Sequence, residues 1–387
     1  MDSVSQPATA PSQATSAQPI AWSLQGNFAA ILERLRLSLV LSTRPNHIIF
    51  LGAVDGTLTA TATLMTQPLG LAANSARIAV ASPRSVTIFA NAARLAAHYP
   101  AKRDYYDAFF IARTIHFTGE CHMHDMVFEG PAVIGANTNF SCICRVDGEF
   151  SFTPLWQPSF ITQLRAEDRC HLNGFAGYAG ELYYLTALAA TDTESGWREM
   201  PHSAGILIDA RRNIIMRSDL CMPHSPRLIN NELYVLNGGE GELLRVDRGS
   251  GASTVLTRLP AFTHGLCDYN GVLFVGMSQN RASRAKEPPP VAQRHGALTA
   301  GIAAVSEQTG EVLGHLEFTS GVTEVYDVQV LPGIRRAGMQ NLLATDGCVG
   351  VETPHSVFWS KRPDNDMAHM MDVFGTGNYG MKVTPVE

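Results

Sequence analysis

Four histidines recur at equivalent places in a repeated pattern, each at the head of an apolar run. They are His124, His171, His224 and His264, and the corresponding residues in two further units are Leu69 and Tyr326. Imidazole is a common ligand of iron, copper and zinc, whereas Ca²⁺ and Mg²⁺ prefer oxygen ligands. Four imidazoles that meet at one point are therefore predicted to hold a transition-metal ion, with Fe(II) favoured and Cu or Zn as alternatives.

Other arrangements of the same residue types stay open. Each histidine could instead be a core residue that is hydrogen-bonded to its neighbours. Cys121 and Cys221 each stand three residues before one of the histidines, but strand residues three apart point to opposite faces, so a shared metal would need a bend. A hydrolase triad could use Ser225, a histidine and Asp327, although the Gly-x-Ser-x-Gly turn typical of such enzymes is missing.

The elements that must position the histidines are short strands joined by tight turns. In the unit that begins at His264, two strand-like runs meet at Asn270-Gly271, a pair that favours the positive φ of a hairpin turn. Successive units start 40 to 62 residues apart, and propeller blades run about 40–50 residues before insertions are added. The sequence therefore predicts an all-β fold, a six-bladed β-propeller, with a β-sandwich or two smaller β domains as the alternative.

The ends of the chain fit this architecture. Residues 1–25 are predicted to be a disordered tail, and residues 26–387 a single β-propeller domain. Apolar residues at helical spacing predict a short helix within 27–36. Two strand-like runs, 37–42 and 47–51, would complete the last blade and close the ring, which removes exposed sheet edges.

Further residues are predicted to act at the site because a propeller's first strands line its central channel. Two insertions, 190–204 and 279–298, exceed the blade pattern, and the first carries an aromatic ring and a guanidinium suited to gripping a ligand. The predicted substrate-binding residues are Trp197, Arg198 and Asn173, and the predicted catalytic residues are Arg227, Glu324, Asp327 and Tyr326. Arginine can bind a substrate carboxylate bidentately, and the oxygen-bearing side chains can orient imidazoles.

Composition excludes several classes of partner. The net charge of −6 gives no general attraction to nucleic acid or to an anionic membrane surface. No apolar run is long enough to span a membrane, and the first residues lack the basic and apolar regions of a secretory signal. Seven cysteines, an odd number, do not suggest a disulfide framework. We therefore expect a cytoplasmic protein that acts on a small molecule or a peptide.

Longer motifs are spread between Leu37 and Arg335. They are Gly119-Glu120 with His124-Asp125, Asn137-Thr138-Asn139-Phe140-Ser141-Cys142, Phe152-Thr153-Pro154-Leu155-Trp156, Glu167-Asp168-Arg169-Cys170-His171-Leu172-Asn173-Gly174, Gly196-Trp197-Arg198-Glu199, Met222-Pro223-His224-Ser225-Pro226-Arg227 and Tyr326-Asp327-Val328-Gln329-Val330-Leu331-Pro332-Gly333. On these motifs the chain resembles a bacterial family of conserved proteins of unknown function, some members of which are fused to tetratricopeptide repeats. The resemblance implies a propeller-like repeat and no established reaction.

The predicted function rests on the histidines. We expect a metal-dependent oxidoreductase of the oxygenase or oxidase type, with its ion on the propeller axis. Carotenoid-cleaving oxygenases hold iron through four histidines on such an axis, but none of their motifs is present, so the analogy is one of architecture. The alternatives are a non-catalytic propeller that binds a protein or peptide partner, and a metal-assisted hydrolase or lyase.

Overall fold

The computed structural model describes residues 19–178, 180–279, 287–342 and 347–361. Three α-helices lie in these ranges: α1 (Phe28–Leu35), α2 (Ala93–Ala96) and α3 (Pro290–His295). The strands of the first half are β1 (Ala21–Gly26), β2 (Leu37–Arg44), β3 (His47–Val54), β4 (Thr57–Leu64), β5 (Leu71–Ala73), β6 (Arg77–Ser82), β7 (Ser85–Asn91), β8 (Ala108–Phe117), β9 (Met123–Glu129), β10 (Ala132–Asn137), β11 (Cys142–Val146), β12 (Thr153–Trp156), β13 (Leu172–Tyr178) and β14 (Glu181–Ala187). Those of the second half are β15 (Gly205–Asp209), β16 (Ile214–Leu220), β17 (Pro223–Ile229), β18 (Glu232–Asn237), β19 (Glu242–Val246), β20 (Ser253–Arg258), β21 (Phe262–Tyr269), β22 (Val272–Ser278), β23 (Ala300–Ser306), β24 (Val312–Ser320), β25 (Glu324–Pro332), β26 (Ala337–Met339), β27 (Cys348–Glu352) and β28 (Val357–Lys361).

The all-β prediction is confirmed, and the sheets have a propeller-like arrangement. Four sheets are built on antiparallel four-stranded meanders: β5–β8, with β26 added in parallel to β8, then β9–β12, β13–β16 and β17–β20. The remaining large sheet has nine strands, in which β21–β24 and the run β25-β2-β3-β4 are joined by the single residue pair Ser278 and Glu324. Four blades are thus separate, and the count of six stays a prediction.

The early strands close the structure. All eight residues of β2 pair with β25, and β3 and β4 continue the same sheet outwards. The first strands of the units also contact one another in a complete cycle, from β5 through β9, β13, β17, β21 and β25 back to β5. The prediction that residues 37–51 complete the last unit is therefore confirmed.

Turn chemistry and burial explain the strands. Asn270 and Gly271 both adopt positive φ, as the hairpin between β21 and β22 requires. Apolar side chains from neighbouring sheets fill the space between them; one such cluster joins Ile134, Leu172 and Ile206 from three different strands. Each fully buried side chain of this size contributes about 1.5–3 kcal/mol of hydrophobic free energy.

The ends of the chain need one correction. Residues 1–18 of the predicted tail lie outside the described residues, but the tail does not extend to 25, because β1 pairs with β24 along its length. The predicted helix is confirmed as α1, which buries Phe28 and Leu32. The β27–β28 hairpin packs beside α2, where Trp359 Nε1 donates to the Leu95 carbonyl oxygen at 3.1 Å. The helices of the described part are too short to cross a membrane.

Candidate functional site

The repeated histidines lie at one end of the innermost strands. His124, His224 and His264 belong to β9, β17 and β21, and His171 directly precedes β13. The ring centroids of His124 and His171 are 4.9 Å apart, and those of His224 and His264 are 4.3 Å apart. The Tyr326 ring stands between the two pairs, 5.3 Å from His124 and 4.6 Å from His264. The sequence repeat therefore brings the four imidazoles to one place.

Each of the four rings is held through Nδ1 by an oxygen acceptor. The pairs are His124 Nδ1 with the His122 carbonyl at 2.7 Å, His171 Nδ1 with both Asp168 carboxylate oxygens at 2.9 and 3.0 Å, His224 Nδ1 with the Met222 carbonyl at 2.9 Å, and His264 Nδ1 with the Tyr326 carbonyl. A carbonyl or carboxylate oxygen only accepts, so Nδ1 carries the hydrogen. In the neutral rings Nε2 is then the basic nitrogen.

The surroundings of His124 favour its neutral form. Burial lowers the pKa of His124 well below its ordinary value, and a positive charge on His171, and then on His264 and His224, would lower it further. A hydrogen bond to the His122 carbonyl opposes this shift. A neutral imidazole is the form that binds a metal.

The histidines open into a cavity of about 650 Å³. Its lining also includes Trp197, Arg198, Glu324 and Tyr326, four of the residues predicted from the sequence, together with Leu188, Glu199, Met200, Pro201, His202, Met222, Phe262, Ser278, Gln279, Glu287 and Pro289. Residues 280–286 of the second insertion lie outside the described residues. Among the described ranges no group of three or more histidine, cysteine or acidic side chains is arranged to hold a metal ion.

Asp168, which the sequence did not single out, connects a histidine to the first insertion. Besides accepting from His171, its carboxylate accepts a hydrogen bond from Trp197 Nε1 at 3.0 Å. The Trp197 ring lies 4.3 Å from the His171 ring, and the Arg198 guanidinium stacks 4.2 Å from the Trp197 ring. The only sequence signal was an acidic residue three positions before the histidine.

Three residues with predicted roles at the site are not in the cavity lining. Arg227 forms a bidentate ion pair with Asp125, at 2.7 and 3.0 Å. Asn173 donates to the Pro223 carbonyl and accepts from Thr186, at 3.0 and 2.7 Å. Both carboxylate oxygens of Asp327 accept backbone N–H groups. Buried partners therefore engage all three residues, and their catalytic and substrate-binding roles stay predictions.

The buried polar residues join neighbouring units. The three links are Asp125 Oδ2 with the Phe175 N–H at 3.1 Å, Ser225 Oγ with the Gly265 N–H at 3.1 Å, and Asp327 Oδ2 with the Leu71 N–H at 2.8 Å. Each side chain stands one residue past a repeat position, and each link joins one unit to the next, in alternate units. The Ser225 hydroxyl therefore links β17 to β21.

The cysteine alternative also lacks support. All seven cysteines are free and buried. Burial raises the pKa of Cys221 to about 12 and that of Cys121 to about 11. Both thiols therefore stay protonated near neutral pH and behave as small core side chains.

Titration of Asp327 should be visible in stability. Burial raises the pKa of Asp327 to about 7, the charge of Asp125 adds to the rise, and Arg227 opposes it. The unfolded chain releases this proton near an ordinary pKa of about 3.9, so stability from this group is present at low pH and lost as the pH rises to about 7. In urea denaturation, the free energy of unfolding of Asp327→Asn minus that of wild type should increase when the pH is raised from about 5 to about 8. A difference that is equal at both pH values would contradict the assignment.

Residues 26–339 match the model of a protein family described as a domain of unknown function, DUF4915. This match covers most of the chain. The protein belongs to the DUF4915 family. No curated protein matches this DUF4915 member.

Several solved structures are similar to the DUF4915 chain, each at 12–13% sequence identity. A nidogen/laminin complex chain has a TM-score of 0.49, with 77% of this chain and 99% of that chain covered. A protein of unknown function from Bacteroides caccae has a TM-score of 0.45, with 78% and 100% covered. A streptogramin B lyase has a TM-score of 0.38, with 84% and 90% covered.

Proposed function

We propose that this DUF4915 member is a metal-dependent enzyme whose ion is held by His124, His171, His224 and His264. The observation that carries the proposal is the common Nδ1 hydrogen bond of all four rings. Histidine ligands of metals almost always donate their second ring N–H to a carbonyl or carboxylate, which fixes the tautomer and the ring orientation. The shared tautomer makes Nε2 the basic nitrogen of each neutral ring, and Nε2 is the atom that a common ion would use.

The spacing of the rings supports the same proposal. A metal–imidazole bond is about 2.1 Å long, so the ring centroids of adjacent ligands on one ion lie about 4.5 Å apart. The observed separations within the two pairs are 4.9 and 4.3 Å. Because no three of these side chains already form a coordination shell in the described part, the proposal requires the four rings to move closer together when the ion binds, while they keep their Nδ1 hydrogen bonds.

The number of ligands favours a six-coordinate ion such as Fe(II). Tetrahedral zinc with four protein ligands is closed, whereas catalytic zinc keeps one position open. A six-coordinate ion held by the four imidazoles would leave room for further ligands and could supply redox chemistry. We therefore favour oxygenase or oxidase chemistry, and retain copper and zinc, with hydrolase or lyase chemistry, as alternatives.

The cavity suits a small molecule or the end of a peptide. Its volume of about 650 Å³ lies within the range of about 300–1,000 Å³ common for small-molecule sites. Trp197, Phe262 and Tyr326 offer aromatic surfaces, while Arg198 and Glu324 offer charges of both signs. Such a lining would orient a largely apolar substrate that carries one or two polar groups.

Metal content tests the proposal. Wild-type protein made without a histidine tag and reconstituted with Fe(II) should hold about one ion per chain, and His171→Ala/His224→Ala should hold less than about a tenth of that. The double variant His116→Ala/His315→Ala removes two histidines outside the cavity and should keep the metal. Circular dichroism checks that each variant is folded. Equal, negligible metal in wild type and the cavity variant would instead support the non-catalytic alternative, a propeller that binds a protein or peptide.

Oxygen consumption then separates the chemical classes. Candidate substrates that drive metal-dependent uptake of dioxygen support the oxidoreductase. Substrate loss without oxygen uptake assigns metal-assisted hydrolysis or a lyase reaction.

We further propose that the nine-stranded sheet is two blades, which makes six in total. Among the described residues, the pair between Ser278 and Glu324 is the one ladder contact between its two halves, and the cycle of first strands has six members. The seven free thiols support the proposal of a reducing, cytoplasmic location.

A further inference from the structure

A second cavity, of about 680 Å³, lies at the other end of the strands. It is formed by the start of β14 and by the turns after β15, β17 and β19, and it is lined by Tyr183, Tyr184, Asp209, Arg211, Arg212, Asn231, Arg248 and Gly249. These turns are at the opposite end of β13 and β17 from His171 and His224. A seven-residue strand is about 20 Å long, so the two cavities are separate.

This cavity concentrates positive charge on a protein whose net charge is −6. Three arginines line it, against the single carboxylate of Asp209. Oδ1 of Asp209 accepts the backbone N–H groups of Arg211 and Arg212, at 2.9 and 3.0 Å. The acid therefore holds the turn that carries two of the arginines.

Most guanidinium N–H groups of the cavity have no acceptor within the described residues. The Arg211 side chain stacks 5.4 Å from the Tyr183 ring and forms no ion pair there. Arg212 Nε lies 3.6 Å from Asp209 Oδ2, and the Arg212 side chain is 64% exposed. Arg248 donates Nε to Tyr184 Oη and Nη1 to the Asn231 backbone carbonyl, both at 3.2 Å, and Nη1 also to Asn231 Oδ1. These bonds position the guanidinium group and leave Nη2 facing no acceptor among the described residues.

We propose that this cavity binds a small phosphate ester that carries a planar group. Guanidinium groups match the tetrahedral oxygens of phosphate through paired N–H bonds, and arginines from two blades can grip it from two sides. The stacked Arg211 and Tyr183 provide a flat surface for the planar group. Tyr183 Oη donates to the Glu181 carboxylate at 3.0 Å, and repulsion from that negative charge would favour the phosphate near the arginines.

Binding of adenosine monophosphate, with adenosine and inorganic phosphate as comparison probes, tests this site. Isothermal titration calorimetry on the full chain should show adenosine monophosphate binding with Kd of about 1 mM or tighter. Adenosine should bind at least about tenfold more weakly, because it lacks the charge that the arginines recognise. Phosphate should bind with intermediate strength.

Variants locate the binding. Arg211→Gln/Arg212→Gln/Arg248→Gln should weaken adenosine monophosphate binding by about tenfold or more, whereas Arg258→Gln, an exposed residue of β20 outside the cavity, should not change it. His171→Ala/His224→Ala should bind it as wild type does, which makes this result independent of the proposed metal site. No binding of either phosphate compound, equal binding by the triple variant, or loss in the histidine variant would each overturn the proposal.

Discussion

Replacing Arg227 with methionine should lower the free energy of unfolding by about 3–5 kcal/mol. The Arg227 side chain is 18% exposed and that of its partner Asp125 only 6% exposed. Methionine fills much of the volume but leaves the Asp125 carboxylate buried without its counter-charge. Arg227 also donates Nε to the Leu266 carbonyl at 2.9 Å, so the change loosens a further strand.

A double variant separates the charge from the packing. Arg227→Met/Asp125→Asn removes both charges and should recover part of the lost stability, because no uncompensated carboxylate remains. Arg84→Met breaks an exposed pair with Glu120, whose partners are 77% and 44% exposed, and should cost less than about 1 kcal/mol. Urea denaturation measures all four proteins. A cost for Arg227→Met as small as that for Arg84→Met would show that the buried pair does not support the centre of the fold.

Replacing Asp168 with alanine should weaken metal binding by about 10- to 100-fold, if the four-histidine proposal is right. The carboxylate holds His171 Nδ1 and Trp197 Nε1 together, so its loss frees both the proposed ligand and the cavity wall. Asp168→Asn keeps one acceptor oxygen and should have a smaller effect. Competition against a chelator measures the affinity, and tryptophan fluorescence reports the release of Trp197.

Asp192 provides the matched control. It lies in the first insertion, where it pairs with Arg169 at 2.6 Å and accepts from Thr162, and neither of these bonds involves His171. Asp192→Ala should therefore disturb the insertion while leaving the metal affinity unchanged. An equal loss in both variants would mean that Asp168 acts only through the stability of the insertion.

Much of the fold could be predicted from local patterns. The Asn270-Gly271 turn, the apolar spacing of α1 and the strand-like runs at 37–51 each determine their own structure, and the repeat fixed which residues share a face of the ring. β1 was missed because its side chains stay mostly exposed, Trp22 and Leu24 among them, and the strand is stabilised by pairing with β24. Its structure depends on a partner about 300 positions away, which no local pattern contains.

The site was predictable only in part, for a similar reason. The histidines share a repeat position, and the cavity residues Trp197 and Arg198 stand in a visible insertion. The pair of Arg227 and Asp125 joins residues 102 positions apart, so the sequence showed a charged residue near the site without its partner. The role of Asp168 depends on its hydrogen bond from the Trp197 indole, and these two residues meet only in the folded chain.

The pairing of β2 with β25 has a consequence during synthesis. Residues 37–44 leave the ribosome long before residues 324–332, their partner strand. Until then β2 is an open edge, and unpaired strand edges readily join other chains. Folding to the closed state has a high contact order, because it pairs residues 37–44 with residues 324–332. Truncation before Glu324 would remove β25 and leave a ring that stays open and prone to aggregation.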